Sequence, residues 1–183
     1  MDVIPLALPE VKLIRPKRHG DHRGFFSEVW SRRDLAKAGL DLDFVQDNYS
    51  MSAEAGTVRA LHFQTPPFAQ DKLVRVARGR ILDVAVDVRR GSATFGRHVA
   101  VELSAENWEQ LLVPKGFAHG LVTLEPNTEV LYKVTAYYAP QNDAGILWND
   151  PDLGIAWPVA PERAILSAKD KVLPRLKDAP VLF

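Results

Sequence analysis

Apolar and polar residues alternate through the first two thirds of the chain, in short runs punctuated by Gly, Pro and Asn. A period of two is the signature of half-buried strands. Such runs span Val11 to Ile14, Gly24 to Trp30, Asp43 to Ser50, Thr57 to Gln64, Lys72 to Ala77, Ile81 to Val88, Arg97 to Leu103, Trp108 to Pro114, Phe117 to Leu124 and Thr128 to Tyr138. The stretch PKRHGDHRG reads as a polar, turn-rich loop. Ser31 with Asp34 three residues on predicts a helix N-cap, and Gly39 predicts its stop. After Ala139 the prolines at 140, 151, 158, 161, 174 and 180 predict irregular chain, with Ser167 capping a short helix near Ala168. Many short strands with tight turns predict an all-β antiparallel barrel or sandwich with few helices, not βαβ units. A single domain over residues 1–183 is the simplest organisation, with about 140–183 packed on its outside.

Two runs carry more than strand patterning. In ILDVAVDV, Leu82, Val84, Val86 and Val88 share one face, and Ile81, Asp83, Ala85 and Asp87 share the other. In TVRALHFQ, alternation puts Val58, Ala60, His62 and Gln64 on one face and Arg59 on the opposite one. A histidine and an amide among small apolar residues are either satisfied core groups or part of a site.

Bulk composition removes several function classes. Lys plus Arg and Asp plus Glu are equal at 23 each, which gives no global electrostatic case for nucleic acid or an anionic membrane. The chain has no cysteine, so thiolate metal sites and a cysteine nucleophile are out. No apolar run approaches the ~20 residues of a membrane span, and MDVIPLALPEVKLI lacks the layout of a signal peptide. The expectation is a cytoplasmic protein.

The segment PKGFAH fits P-x-G-x-x-H, which resembles half of the second cupin motif, and cupins are small jelly-roll barrels. A metal cupin also needs an H-x-H pair. The five histidines, at 19, 22, 62, 98 and 119, contain none. Two histidines without a third ligand make a poor transition-metal site, so a metal-independent, cupin-like jelly roll is expected.

A more specific resemblance runs through the chain. DHRGFFSEVW, FVQDNYS, TVRALHFQ, DKLVRVARGRILDVAVDVRRGSATFG, LLVPKGFAHG, EVLYKVTAYYAP, GILWNDPDLGIAWP and ILSAKD resemble, in order, the blocks of the dTDP-4-dehydrorhamnose 3,5-epimerase family. The resemblance implies a homodimeric jelly roll without a cofactor. Its small-molecule substrate would be dTDP-4-dehydro-6-deoxy-α-D-glucose and its product dTDP-4-dehydro-β-L-rhamnose. It implies His62 as base, Asp170 as the carboxylate orienting it, and Tyr132 as proton donor on the opposite face. It puts Lys72 and His119 near the sugar ketone. It assigns substrate contacts to Arg23, Glu28, Gln46, Asp47, Asn48, Arg59, Asp143 and Lys169, and stacking on the thymine to Tyr138. This fits the chemistry: inverting a carbon beside a ketone needs a base, an opposed acid and a positive or protic group at the developing enolate oxygen.

Three positions depart from the family pattern: Ala60 for Gly, Asp143 for Glu and Tyr49 where His is frequent. A methyl at residue 60 is expected near the sugar, where it would narrow the pocket or change which carbon is reached. The competing readings are a 3-only or 5-only epimerase, a ketoisomerase on a related dTDP-4-keto-6-deoxy sugar, and a non-catalytic sugar-binding cupin. Alternation also separates Arg59 from His62, although the resemblance has both meet substrate. A bulge, strong twist or a contribution across a dimer would reconcile the two.

Overall fold

The computed structural model describes residues 1–180 and 183. Its strands are β1 (Asp2–Pro5), β2 (Lys12–Arg15), β3 (His19–Asp21), β4 (Gly24–Phe26), β5 (Gln46–Ser52), β6 (Val58–Gln64), β7 (Lys72–Arg78), β8 (Arg80–Asp87), β9 (His98–Ser104), β10 (Gln110–Val113), β11 (Phe117–Thr123), β12 (Thr128–Val134) and β13 (Asp143–Gly145). A six-stranded antiparallel sheet runs β1-β2-β10-β7-β12-β5, and a five-stranded one runs β13-β6-β11-β8-β9. The two face each other as the all-β, cupin-like jelly roll that the strand spacing predicts.

Alternation divides each strand between an inner and an outer face. From β8 and β11, Ile81, Ala85, Phe117 and Leu121 point inward and meet Val74, Val76, Leu111 and Val130 of the other sheet. Their neighbours Val84, Val86, Ala118 and Val122 point outward, where Ile146, Trp148, Leu153 and Leu176 of the C-terminal segment cover them. Strand β8 is therefore buried on both faces, which explains its near-continuous apolar run. The outer face of the other sheet is covered in part by α1 (Arg32–Lys37), whose Leu35 packs on Ile14, Leu73 and Leu112. Ser31 caps this helix, its Oγ accepting from Asp34 N at 3.3 Å, and Gly39 follows with φ +82°.

Three sequence expectations are corrected. The stretch read as a loop before Gly24 contains β3, which pairs with β4 as a two-stranded ribbon. The strand expected from Gly24 to Trp30 stops at Phe26, and that expected from Thr128 to Tyr138 stops at Val134. The ribbon is exposed, so no burial imposes an alternating pattern on it. Ser167 does cap the turn it was read to cap, a 3₁₀ turn at Asp170–Val172.

Candidate active site

The inner face changes character from one end of the barrel to the other. Apolar residues fill one end, while Lys72 of β7, Tyr132 of β12, His62 of β6 and His119 of β11 line a cavity of about 430 Å³ at the other. Tyr132 alternates with Val130 and Val134 along β12, a pattern that also suits a core aromatic. It does touch the inner core, but it remains half-exposed and lines the cavity. A second cavity of about 420 Å³ adjoins the first and shares His62, Lys72 and Tyr132 with it. Its other walls include Gln46, Asn48, Gln64, Gln70, Tyr138 and Asp143.

A bulge in β6 decides what enters the first cavity. His62 pairs with His119 and Arg59 with Leu121, so three steps along β6 match two along β11. The extra residue turns Arg59 and His62 to the same side. Both line the cavity, whereas Ala60, Leu61 and Phe63 pack into the outer core; Val58 belongs to that core and also borders the cavity. The expected common face of Val58, Ala60, His62 and Gln64 is thus broken. Ala60 is fully buried, and its methyl lies against Gly120, where any added side chain would collide with it. The expectation that this methyl borders the sugar is corrected: the departure at residue 60 is a packing feature behind the sheet.

His62 and His119 each hold a carboxylate. His62 Nε2 lies 2.6 Å from Asp170 Oδ1, and His119 Nε2 lies 2.6 Å from Asp83 Oδ1. Asp170 and Asp83 are almost wholly inaccessible, so each bond is a short contact in a low-dielectric setting. Asp83 Oδ2 has no hydrogen-bond partner among the described residues. Sequence reading did not nominate Asp83. Its signal was a carboxylate on one face of an otherwise apolar strand.

Lys72 is buried, and its Nζ donates to the His62 backbone oxygen at 3.3 Å. Burial pulls its pKa down to about 8, against the pull of the Asp143 and Asp83 carboxylates. Burial likewise raises the Tyr132 phenol above its ordinary value, opposed by the Arg59 guanidinium. Arg59 is held by Ser52 Oγ, to which its Nε donates at 3.3 Å. At the mouth, Asp143 Oδ2 accepts from the Tyr138 hydroxyl at 3.1 Å and from Lys169 Nζ at 2.5 Å. Gln46 Nε2 donates to Asn48 Oδ1 at 2.8 Å.

The structure brings His62, Lys72, His119, Tyr132, Asp170, Arg59 and Lys169 to one cavity, and Gln46, Asn48, Tyr138 and Asp143 to the next. Three nominated residues stay away from both. Arg23 is on the ribbon with Nη2 2.6 Å from Asp21 Oδ2, and Glu28 is exposed beyond it. Asp47 points to the outer face of β5, where it pairs with Lys133 at 2.7 Å. Alternation forbids Asp47 from sharing a face with Gln46 and Asn48. Gln64 serves the frame: Nε2 donates to Phe68 O, and Oε1 accepts from Ala139 N. Among the described residues no group of three or more His, Asp or Glu converges as a metal site would need, and no helix is long and apolar enough to cross a membrane.

Residues 5–178 match the family model described as dTDP-4-dehydrorhamnose 3,5-epimerase. The chain belongs to this family. A dTDP-4-dehydrorhamnose 3,5-epimerase of Sinorhizobium fredii is 54% identical to this epimerase over 97% of its length and 91% of the relative's. A crystal structure of the Bacillus anthracis enzyme, with TDP and PPi bound, superposes with a TM-score of 0.92 at 52% identity, covering 95% of this chain and 98% of that one. A 3'-monoepimerase of Streptomyces bikiniensis in complex with dTDP-quinovose is similar at a TM-score of 0.89 and 34% identity, covering 95% and 87%.

Proposed function

We propose that this epimerase converts dTDP-4-dehydro-6-deoxy-α-D-glucose to dTDP-4-dehydro-β-L-rhamnose, with His62 as base and Tyr132 as acid. The observation that carries the reading is that these two side chains, from different sheets, line one shared cavity. The C4 ketone acidifies the hydrogens on C3 and C5. His62 removes one as a proton, and the electron pair moves onto the ketone oxygen as an enolate. Tyr132 then delivers a proton to the opposite face of the same carbon, inverting it, and solvent resets both groups. Nε2–H of His62 donates to Asp170, which leaves Nδ1 with the lone pair for the base role. The Lys72 ammonium stabilises the enolate oxygen, where a positive partner lowers the barrier most, and His119, held by Asp83, lies near the ketone beside it.

The nucleotide end takes the other nominated residues. Arg59 and Lys169 neutralise the diphosphate, and the exposed ring of Tyr138 stacks on the thymine. Gln46, Asn48 and Asp143 offer polar contacts along the second cavity. Arg23 and Glu28 join a site only across a homodimer. The exposed Phe25 and Phe26 on their ribbon support such an interface. Asp47 has no side-chain role toward substrate in this reading. We place the enzyme in the cytoplasm.

The greater identity to 3,5-epimerases than to the monoepimerase favours inversion at both carbons. Turnover in deuterated water tests this directly. Deuterium at both C3 and C5 supports the full reaction, and deuterium at one carbon supports a single-centre enzyme. Binding of the dTDP-sugar without any carbon-bound exchange would leave a non-catalytic cupin.

A further inference from the structure

The carboxylate that serves His62 comes from the least regular part of the site. Ser167, Ala168, Lys169 and Lys171 are exposed, whereas Asp170 between them is 2% exposed. The segment is tied to the strand that carries His62. Val58 N donates to Ile165 O at 2.9 Å, and Ile165 N donates to Gly56 O at 3.0 Å. Five residues beyond that tie, Asp170 opens a three-residue 3₁₀ turn. The residue before the turn, Lys169, gives it no side-chain cap. The hydroxyl of Ser167 does, its Oγ accepting from Asp170 N at 3.1 Å.

We propose that Ser167 is a positioning residue for catalysis: its hydroxyl fixes the turn that presents the Asp170 carboxylate to His62. The inference rests on the reading of His62 and Asp170 as the base and its partner. A single 3₁₀ turn is marginal by itself, and a removed cap frees it to fray. Fraying here has a specific consequence. The bond from His62 Nε2 to Asp170 Oδ1 spans 2.6 Å, and a carboxylate that swings away by about 1 Å breaks this charge-assisted hydrogen bond. The imidazole then loses the partner that fixes its orientation toward the substrate carbon. Ser167 also lines the cavity, so a direct substrate contact is the rival role, and kinetics separate the two.

The experiment compares S167A, S167T and D170N in the full-length protein, with kcat and KM measured on the dTDP-4-keto sugar. In S167A, kcat falls roughly fivefold to tenfold while KM stays within about twofold. S167T, which keeps the hydroxyl at an exposed position, restores kcat. An unchanged kcat in S167A, a rise in KM alone or a failure of threonine to rescue would each overturn the proposal. Should S167A fail to fold, S167C stands in under the same criteria, since a thiol is a poor cap of nearly the same shape. D170N separates the two layers. If it retains wild-type kcat, the reading of the base pair itself is wrong; if D170N is slow and S167A is not, only the role of Ser167 falls.

Discussion

Strand β8 carries two carboxylates that solvent does not reach, and the two ends of the barrel treat them in opposite ways. Asp87 accepts five hydrogen bonds, from the backbone N, Nε and Nη2 of Arg89 and the hydroxyls of Ser92 and Thr94. Burial alone would push its pKa up, but these donors hold it well below the usual carboxylate range. Asp83, four residues earlier on the same face, has His119 on one oxygen and no partner among the described residues on the other. A buried acid with every lone pair engaged is frame. One left short, beside a cavity lined by two lysines and two histidines, is a candidate for chemistry. Position on a strand does not distinguish the two; the completeness of the hydrogen-bond set does.

The largest effects belong to the open end. His62→Asn and Tyr132→Phe should each lower kcat/KM by ~10²–10⁴-fold with the circular dichroism spectrum unchanged. A loss under about threefold in H62N would remove the base assignment. At the closed end the contrast inverts. Asp87→Asn should cost about 2–3 kcal/mol of stability in urea melts while turnover per folded molecule stays near wild type. Because folding depresses the Asp87 pKa, its stabilisation is fully present above the unfolded carboxylate value near 4 and drains away as pH drops below it. Melts between pH 7 and pH 3 should therefore show a shallower pH slope in D87N than in the parent.

Lys72 gives a smaller, graded effect. If its ammonium supports the enolate, kcat should fall as pH rises through about 8, where burial has brought its pKa, by about tenfold for each further unit. Lys72→Arg should move that limb upward, since a guanidinium stays charged. The smallest effect is expected at Ala60. Its methyl packs behind the sheet, so Ala60→Gly should leave the ratio of C3 to C5 deuteration unchanged and cost only about 1 kcal/mol of stability. A changed labelling ratio would bring residue 60 back to the substrate side.

Strands such as β5 and β12 were legible because one face is more buried than the other, which imposes period two, and β8 was legible as an apolar run between turns. The bulge at Ala60 and Leu61 was not, since alternation assumes an unbroken pleat, and it alone reconciles Arg59 with His62. Strands β3, β4 and β13 are three residues each and owe their existence to pairing partners more than to their own composition. In the site, His62, Lys72, Tyr132 and Asp170 were found through the family resemblance and are brought together by the fold. Asp83 was missed because an aspartate on an apolar strand reads first as one half of an alternating pattern. Asp47 was grouped with its neighbours in sequence, although the pleat sends its side chain the other way.

The ammonium of Lys72 rests on the main-chain oxygen of residue 62, not on the imidazole. The positive charge is thereby indifferent to which side chain that position carries. An evolving lineage could exchange the side chain at residue 62 without unseating this cation. Such a separation is a physical route by which one barrel could give rise to enzymes that act on different carbons of similar sugars.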